Sequence, residues 1–193
     1  MKNLAIFASG SGSNAERIVS YFADSEEINV KLFLCNNPEA GVIQRAERLN
    51  IPLIMFDRPM FKSGEVVQIL REYQIDFVIL AGFLWLVPKN VVEAFPNRII
   101  NIHPALLPKF GGKGMYGHFV HKAVVENKET ESGITIHFVN EHYDEGAIIF
   151  QASFPVTPTD TPEDVARKGQ VLEHQYFPEI IEKVVLDYNA TNL

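Results

Sequence analysis

Apolar positions along this chain fall into short dense runs, separated by longer stretches in which they recur at helical spacing. The runs are "LAIFA" at 4–8, "NVKLFLC" at 29–35, "PLIMF" at 52–56 and "DFVILAGF" at 76–83. Runs of that length, bounded by Gly, Pro, Asn or Asp, predict strands. The first, at residues 3–8, predicts a strand buried on both faces. Between the runs, residues 14–22, "AGVIQRAERL" at 40–49 and "SGEVVQILREY" at 63–73 read as helices. Strands alternating with helices predict right-handed βαβ units and a parallel sheet, which "NRIINIH" at 97–103 extends by a fifth strand. The pattern then changes. "SGITIHFV" at 132–139 and "GAIIFQASFPV" at 146–156 are consecutive strands with a short connection, so this end of the sheet is expected to be antiparallel. "TPED" at 161–164 opens a closing helix, with Thr161 as N-cap, Pro162 at the first position and acids in the first turn, running to about Leu186.

Composition narrows the class. The 193 residues suit one domain with a sizeable core, and no Gly/Ser-rich or charged linker divides them, so one domain over 1–193 is expected. A hydrophobic content of 47% with 21% charged residues is that of a folded globular chain. The net charge of −7 argues against nucleic acid or an anionic membrane as partner, while leaving room for a local pocket for a small anion. The single cysteine, Cys35, excludes an intrachain disulfide and fits a reducing cytoplasm. It ends an apolar run, where packing is its expected role. The N-terminal "MKNLAIFASGS" has an apolar stretch of five residues. That is shorter than the roughly 7–15 of a secretion signal. Nothing approaches the roughly 20 apolar residues of a membrane span. Monomer and homodimer both remain open.

In open α/β sheets, ligands bind beyond the carboxyl ends of the strands. Two such ends carry candidate chemistry. "SGSGSN" at 9–14 follows the first strand. Its glycines permit close ligand approach, Ser13 or Asn14 can cap the next helix, and free N–H groups there favour phosphate. The third glycine of a dinucleotide loop is missing, and so is a P-loop lysine. That suggests one phosphate; on the loop alone, a plain strand–helix turn is an equal reading. At "NIHPALLP", 101–108, Asn101 and His103 are two apart on a strand and share a face before Pro104 stops it. An amide that donates to an oxyanion and an imidazole that handles protons thus project together. Asp144, in "EHYDEG" at 141–146, either orients a catalytic histidine or serves a turn. His137 reads as a core histidine or a supporting group. His118, His121 and His142 make no metal-ligand pattern.

Taken in order, "SGSGSN", "AGF" (81–83), "NIHPALLP", "GITIHFV" (133–139) and "YDEGAIIFQ" (143–151) resemble the folate-dependent formyltransferases over about residues 2–186. Within that family the likeness is to members that formylate glycinamide ribonucleotide. It implies a Rossmann-like α/β formyltransferase fold with helices on both faces of the sheet. A phosphate-binding half would occupy about 1–100, and a catalytic and folate-binding half about 101–193. It implies transfer of the formyl group of 10-formyltetrahydrofolate, as co-substrate, to the amine of glycinamide ribonucleotide in purine biosynthesis, without a metal. Asn101, His103 and Asp144 would be the catalytic trio. The first two would stabilise the tetrahedral adduct. His103 would assist proton transfer to the departing folate nitrogen, and Asp144 would hold His103 and an ordered water. Gly12, Ser13 and Asn14 would bind the substrate phosphate, and Glu173, in "LEHQYFP", the ribose hydroxyls, with Gln170 beside it. The folate would lie between Phe83, Leu84, Trp85, Leu86 and Val87 and the loop of Val139, Asn140 and Tyr143.

Two features depart from the family pattern. Trp85 stands where an arginine is usual, packing at the pocket rim or at an interface. "KFGGKGMYGHFVHKA" at 109–123 is Gly-rich and predicts a mobile segment that orders on substrate. Arg58 and Lys62 would meet the folate glutamate tail or be merely solvated. Other acceptors occur in the family: methionyl-tRNA, water and sugar nucleotides. The acidic charge and short chain count against tRNA, the phosphate loop against water, and its single-anion form against a diphosphate. A non-catalytic folate- or nucleotide-binding module is the rival from another class.

Overall fold

Alternation along the first strand sets the architecture. In β1 (Lys2–Ala8), Leu4, Ile6 and Ala8 enter one hydrophobic core, while Ala5 and Phe7 enter another on the opposite side. The remaining strands are β2 (Ile28–Cys35), β3 (Leu53–Met55), β4 (Phe77–Leu80), β5 (Ile99–His103), β6 (Glu131–Phe138) and β7 (Ile148–Pro155). In β4 too, Phe77 and Ile79 face one core and Val78 and Leu80 the other. Burial on both faces is why these segments are nearly continuous apolar runs. The computed structural model describes residues 1–191, with side chains through Tyr188.

The seven strands form one sheet in the order β3-β2-β1-β4-β5-β6-β7. The first five lie parallel, and β6 and β7 add antiparallel. The helices are α1 (Ser13–Tyr21), α2 (Val42–Leu49), α3 (Arg58–Ser63), α4 (Glu65–Glu72), α5 (Lys89–Ala94), α6 (His118–Glu126) and α7 (Pro162–Thr191). Side chains of α1, α2 and α7 close one core, and those of α3, α4 and α5 the other. A smaller cluster of Val124, Val156 and Val165 joins α6 to α7.

The expected α/β fold is present, with boundary corrections. The helix predicted over 63–73 is α4 and starts only at Glu65, because Gly64 takes a left-handed φ of 97° between it and α3. The helices α3, α5 and α6 were not foreseen, and α7 runs to Thr191 instead of about Leu186. Its start is as expected. The Asp164 N–H donates to Thr161 Oγ1 at 3.2 Å and the Thr161 N–H to Asp164 Oδ2 at 3.0 Å, a reciprocal cap. Cys35 is fully buried, and burial pushes its thiol pKa up. The order of the sheet reverses at β1 and β4, and the cleft lies beyond their carboxyl ends.

Candidate active site

The cleft has a volume of about 1050 Å³ and is lined by residues following β1, β4 and β5, by the 112–117 loop and by one face of α7. That is room for more than one small ligand.

At the β1 end, Gly12 has φ 79° and is itself the N-cap of α1. A Cβ there would lie 2.7 Å from Val42 side-chain atoms, so no other residue fits without displacement. Neither Ser13 nor Asn14 caps the helix, contrary to the sequence expectation. Both sit inside its first turn, and their side chains reach α7 instead. Gln170 Nε2 donates to Ser13 Oγ at 3.2 Å and Asn14 Nδ2 to Glu173 Oε2 at 2.7 Å. The first-turn N–H groups therefore have no side-chain cap and form the positive end of the helix dipole. Although Glu173 keeps some exposure on the cleft wall, its carboxyl is packed in protein. Burial pushes its pKa up and the Asn14 N–H pulls it back.

At the β5 end, Asn101 and His103 line the cleft from one strand face. Antiparallel pairing sets His137 of β6 directly opposite Asn101, and Thr135 opposite His103. His137 is buried, and Nδ1–H donates to the Phe138 carbonyl at 2.8 Å. Its Nε2 is then the acceptor for Asn101 Nδ2–H at 3.0 Å, which orients the Asn101 amide. Burial lowers the His137 pKa, opposed by that carbonyl and by Asp144, in keeping with a neutral ring. Asp144, at φ 56°, sits between the two histidines. Its Oδ2 is 3.6 Å from His103 Nδ1 and its Oδ1 is 3.7 Å from His137 Nε2. These are electrostatic contacts longer than hydrogen bonds. The same Oδ2 accepts the Gly112 N–H at 2.9 Å, and His103 Nε2–H donates to the Phe110 carbonyl at 2.8 Å. Two contacts thus tie the glycine-rich loop to the site. Behind it, Thr135 Oγ1 donates to Ala105 O at 2.7 Å and accepts from Leu107 N–H at 3.0 Å, and Leu107–Pro108 is cis.

Phe83, Leu84, Trp85 and Tyr143 form an apolar wall of the same cleft. The Leu84 N–H is held by Ser9 Oγ at 3.1 Å and the Leu86 N–H by Tyr143 Oη at 3.0 Å. Trp85 lies at the rim, packed on Phe56 and Phe83, with the Arg58 guanidinium 4.4 Å from its ring centroid. Arg58 borders the cleft and Lys62 does not. Four predicted folate contacts lie off it. Val87 is buried in the core behind the wall, Leu86 is exposed, Val139 packs on that core, and the Asn140 side chain accepts the His142 N–H.

Glu163, Ala166 and Arg167 line the cleft beside Gln170 and Glu173, unremarked in the sequence reading. Their helical spacing on α7 was the available signal. Lys113, Met115, Tyr116 and His121 also line it, from the segment read as mobile, and had no such signal. Burial lowers the His121 pKa. Among the described residues, no group of three or more His, Cys, Asp or Glu side chains is arranged to hold a metal ion.

A helix start without a side-chain cap and an amide–imidazole–carboxylate group share one α/β cleft. A family model described as formyl transferase matches residues 2–181, and the chain belongs to that family. It is 45% identical over 187 residues to the chloroplastic phosphoribosylglycinamide formyltransferase of Arabidopsis thaliana, covering 93% of this chain and 64% of the plant protein. It is 34% identical over 191 residues to the phosphoribosylglycinamide formyltransferase of Bacillus subtilis, covering 96% and 95% of the two chains. The crystal structure of phosphoribosylglycinamide formyltransferase from Bacillus halodurans matches with a TM-score of 0.86 at 37% identity over 95% of each chain.

Proposed function

We propose that this protein transfers the formyl group of 10-formyltetrahydrofolate to the amine of glycinamide ribonucleotide, yielding formylglycinamide ribonucleotide and tetrahydrofolate. The observation that carries this reading is the shared cleft. It joins an uncapped helix start, suited to a monophosphate, to Asn101, His103 and Asp144 and to an apolar wall suited to a folate. Family membership and the named relatives support it.

The acceptor amine attacks the formyl carbon. A C–N bond forms, and the carbonyl electron pair moves onto oxygen. The Asn101 amide, oriented by His137, donates to that oxyanion together with His103. The attacking amine gives up a proton to water, the oxygen electron pair re-forms the carbonyl, and the carbon–nitrogen bond breaks onto a folate nitrogen that His103 protonates. Asp144 balances the charge on His103 while that ring holds the proton, and it would position an ordered water. The Phe110 carbonyl must yield His103 Nε2 when substrate arrives, so the 109–118 loop rearranges and orders on binding. Gly12, Ser13 and Asn14 take the phosphate, and Glu173 with Gln170 takes the ribose. Phe83, Leu84, Trp85 and Tyr143 take the folate.

The test is a formyl-transfer assay with both substrates and an acceptor-free control. Acceptor-dependent loss of 10-formyltetrahydrofolate is expected. Equal loss without acceptor would make the protein a hydrolase, and no loss in either reaction would overturn the transferase reading.

A further inference from the structure

The anion loop is held from behind in a way that decides where its N–H groups point. Across a trans peptide, the carbonyl and the following N–H point in opposite directions. The Gly10 carbonyl accepts the Val42 N–H of α2 at 3.2 Å. The next carbonyl, that of Ser11, accepts Arg45 Nε–H, also of α2, at 2.7 Å. Two successive peptide units are thus anchored by their oxygens to one helix. Their N–H groups, those of Ser11 and Gly12, are turned away from α2. Both residues line the cleft, and neither N–H donates to a protein acceptor among the described residues. Gly41 has no side chain to hinder this packing, since even a Cβ there would come within 3.2 Å of the Ser11 carbonyl. Arg45 is itself held, because its guanidinium and that of Arg48 both pair with Glu16 on α1.

We infer that Arg45 is a positioning residue for the phosphate of the acceptor. By binding the Ser11 carbonyl it aims the Gly12 N–H at the anion. With the Gly10–Val42 bond it makes a two-amide cradle that continues into the first turn of α1. Arg45 does not line the cleft and touches no ligand; its effect passes through one peptide plane. The inference rests on the reading of the acceptor as a phosphorylated ribose.

Calorimetric titration of the full chain with ribose 5-phosphate and with ribose tests it, alongside steady-state kinetics with both substrates. Arg45→Met should weaken ribose 5-phosphate about tenfold and raise the acceptor KM by a similar factor, the effect of about one charge-assisted hydrogen bond. Ribose binding, kcat and the KM for 10-formyltetrahydrofolate should stay within about twofold, and Arg45→Lys, which keeps a cationic donor, should recover most of the loss. Equal ribose 5-phosphate affinity in Arg45→Met and wild type would overturn the inference and leave the transferase reading standing. So would equal losses for both substrates, the sign of general loosening. A wild-type protein that binds no ribose 5-phosphate would overturn the phosphorylated-acceptor reading and the inference with it. Should Arg45→Met not fold, amide NMR of the wild type with inorganic phosphate decides: shifts at the Ser11 and Gly12 N–H groups support the cradle, and their absence overturns it.

Discussion

The two ends of the cleft offer a ligand different kinds of group. At the β1–α1 end the groups belong to the backbone: N–H donors turned from α2, because Gly12 has no side chain to clash with Val42 and because α2 holds the loop's carbonyls. At the β5–β6 end they belong to side chains, brought together by antiparallel register. A backbone site is specified by what is left out and by the scaffold behind it, so its determinants lie one layer away from the ligand. A side-chain site is specified by residue identity, so near-isosteric substitutions separate its chemistry from its packing. The first end should therefore fail mainly in acceptor binding, and the second in turnover.

Asp144→Asn is the strongest way to break that contrast. It keeps size while removing charge beside both histidines, and kcat should fall by about 10²–10⁴ with acceptor and folate affinities within about threefold. A large loss of affinity, measured by calorimetry, would mean that this end binds as much as it reacts. Next comes Gly12→Ala. A φ of 79° and contact with Val42 should cost about 3 kcal/mol together, lowering Tm by about 6–12 °C. The acceptor KM should rise about tenfold or more while the residual kcat is preserved. An unchanged acceptor KM would remove the loop from phosphate binding.

His137→Gln sharpens the comparison through pH. Burial holds the pKa of His137 below its ordinary value, as it does for His121 and His174. The unfolded chain then binds more protons than the folded one, so stability falls as pH drops below about 6.5 and continues to fall until below the folded pKa values. Glu173, whose pKa burial raises, contributes with the opposite sign. The denaturation midpoint of the wild type should decrease from pH 7 to pH 5, and His137→Gln should flatten part of that slope while lowering kcat about tenfold through a less constrained Asn101. An unaltered slope would contradict a neutral His137. The smallest effect is expected for Thr161→Ala, which removes one partner of the α7 cap. A loss of about 1 kcal/mol, or 2–4 °C in Tm, should leave both KM values unchanged. A change in acceptor KM would show that the start of α7 is coupled to Glu173 and Gln170.

All seven strands were legible in the sequence because most of them are buried and bounded by turn residues. The helices α3, α5 and α6 were not. In α6 only Val120 and Val124 are buried, too little pattern to stand out after a glycine-rich stretch. Helices of this length owe their stability to packing more than to propensity. The same segment, read as mobile, is tied to the site by the Phe110 carbonyl and the Gly112 N–H, contacts that no periodicity encodes. At the site, Asn101, His103 and Asp144 were legible as residues and meet in space. Trp85, by contrast, was assigned to the rim only by its packing on Phe56 and Phe83 and by Arg58.

By itself the sequence determined the strand–helix alternation, the glycine-containing turn after the first strand and the projection of Asn101 and His103 from one strand face. These are consequences of backbone geometry over a few neighbouring residues. Only the tertiary structure decided that His137, 36 residues on, orients Asn101, that Asp144 stands between two histidines, and that α2 holds the carbonyls of the loop after β1. Those facts depend on strand register and helix docking, which are set by the packing of segments distant along the chain.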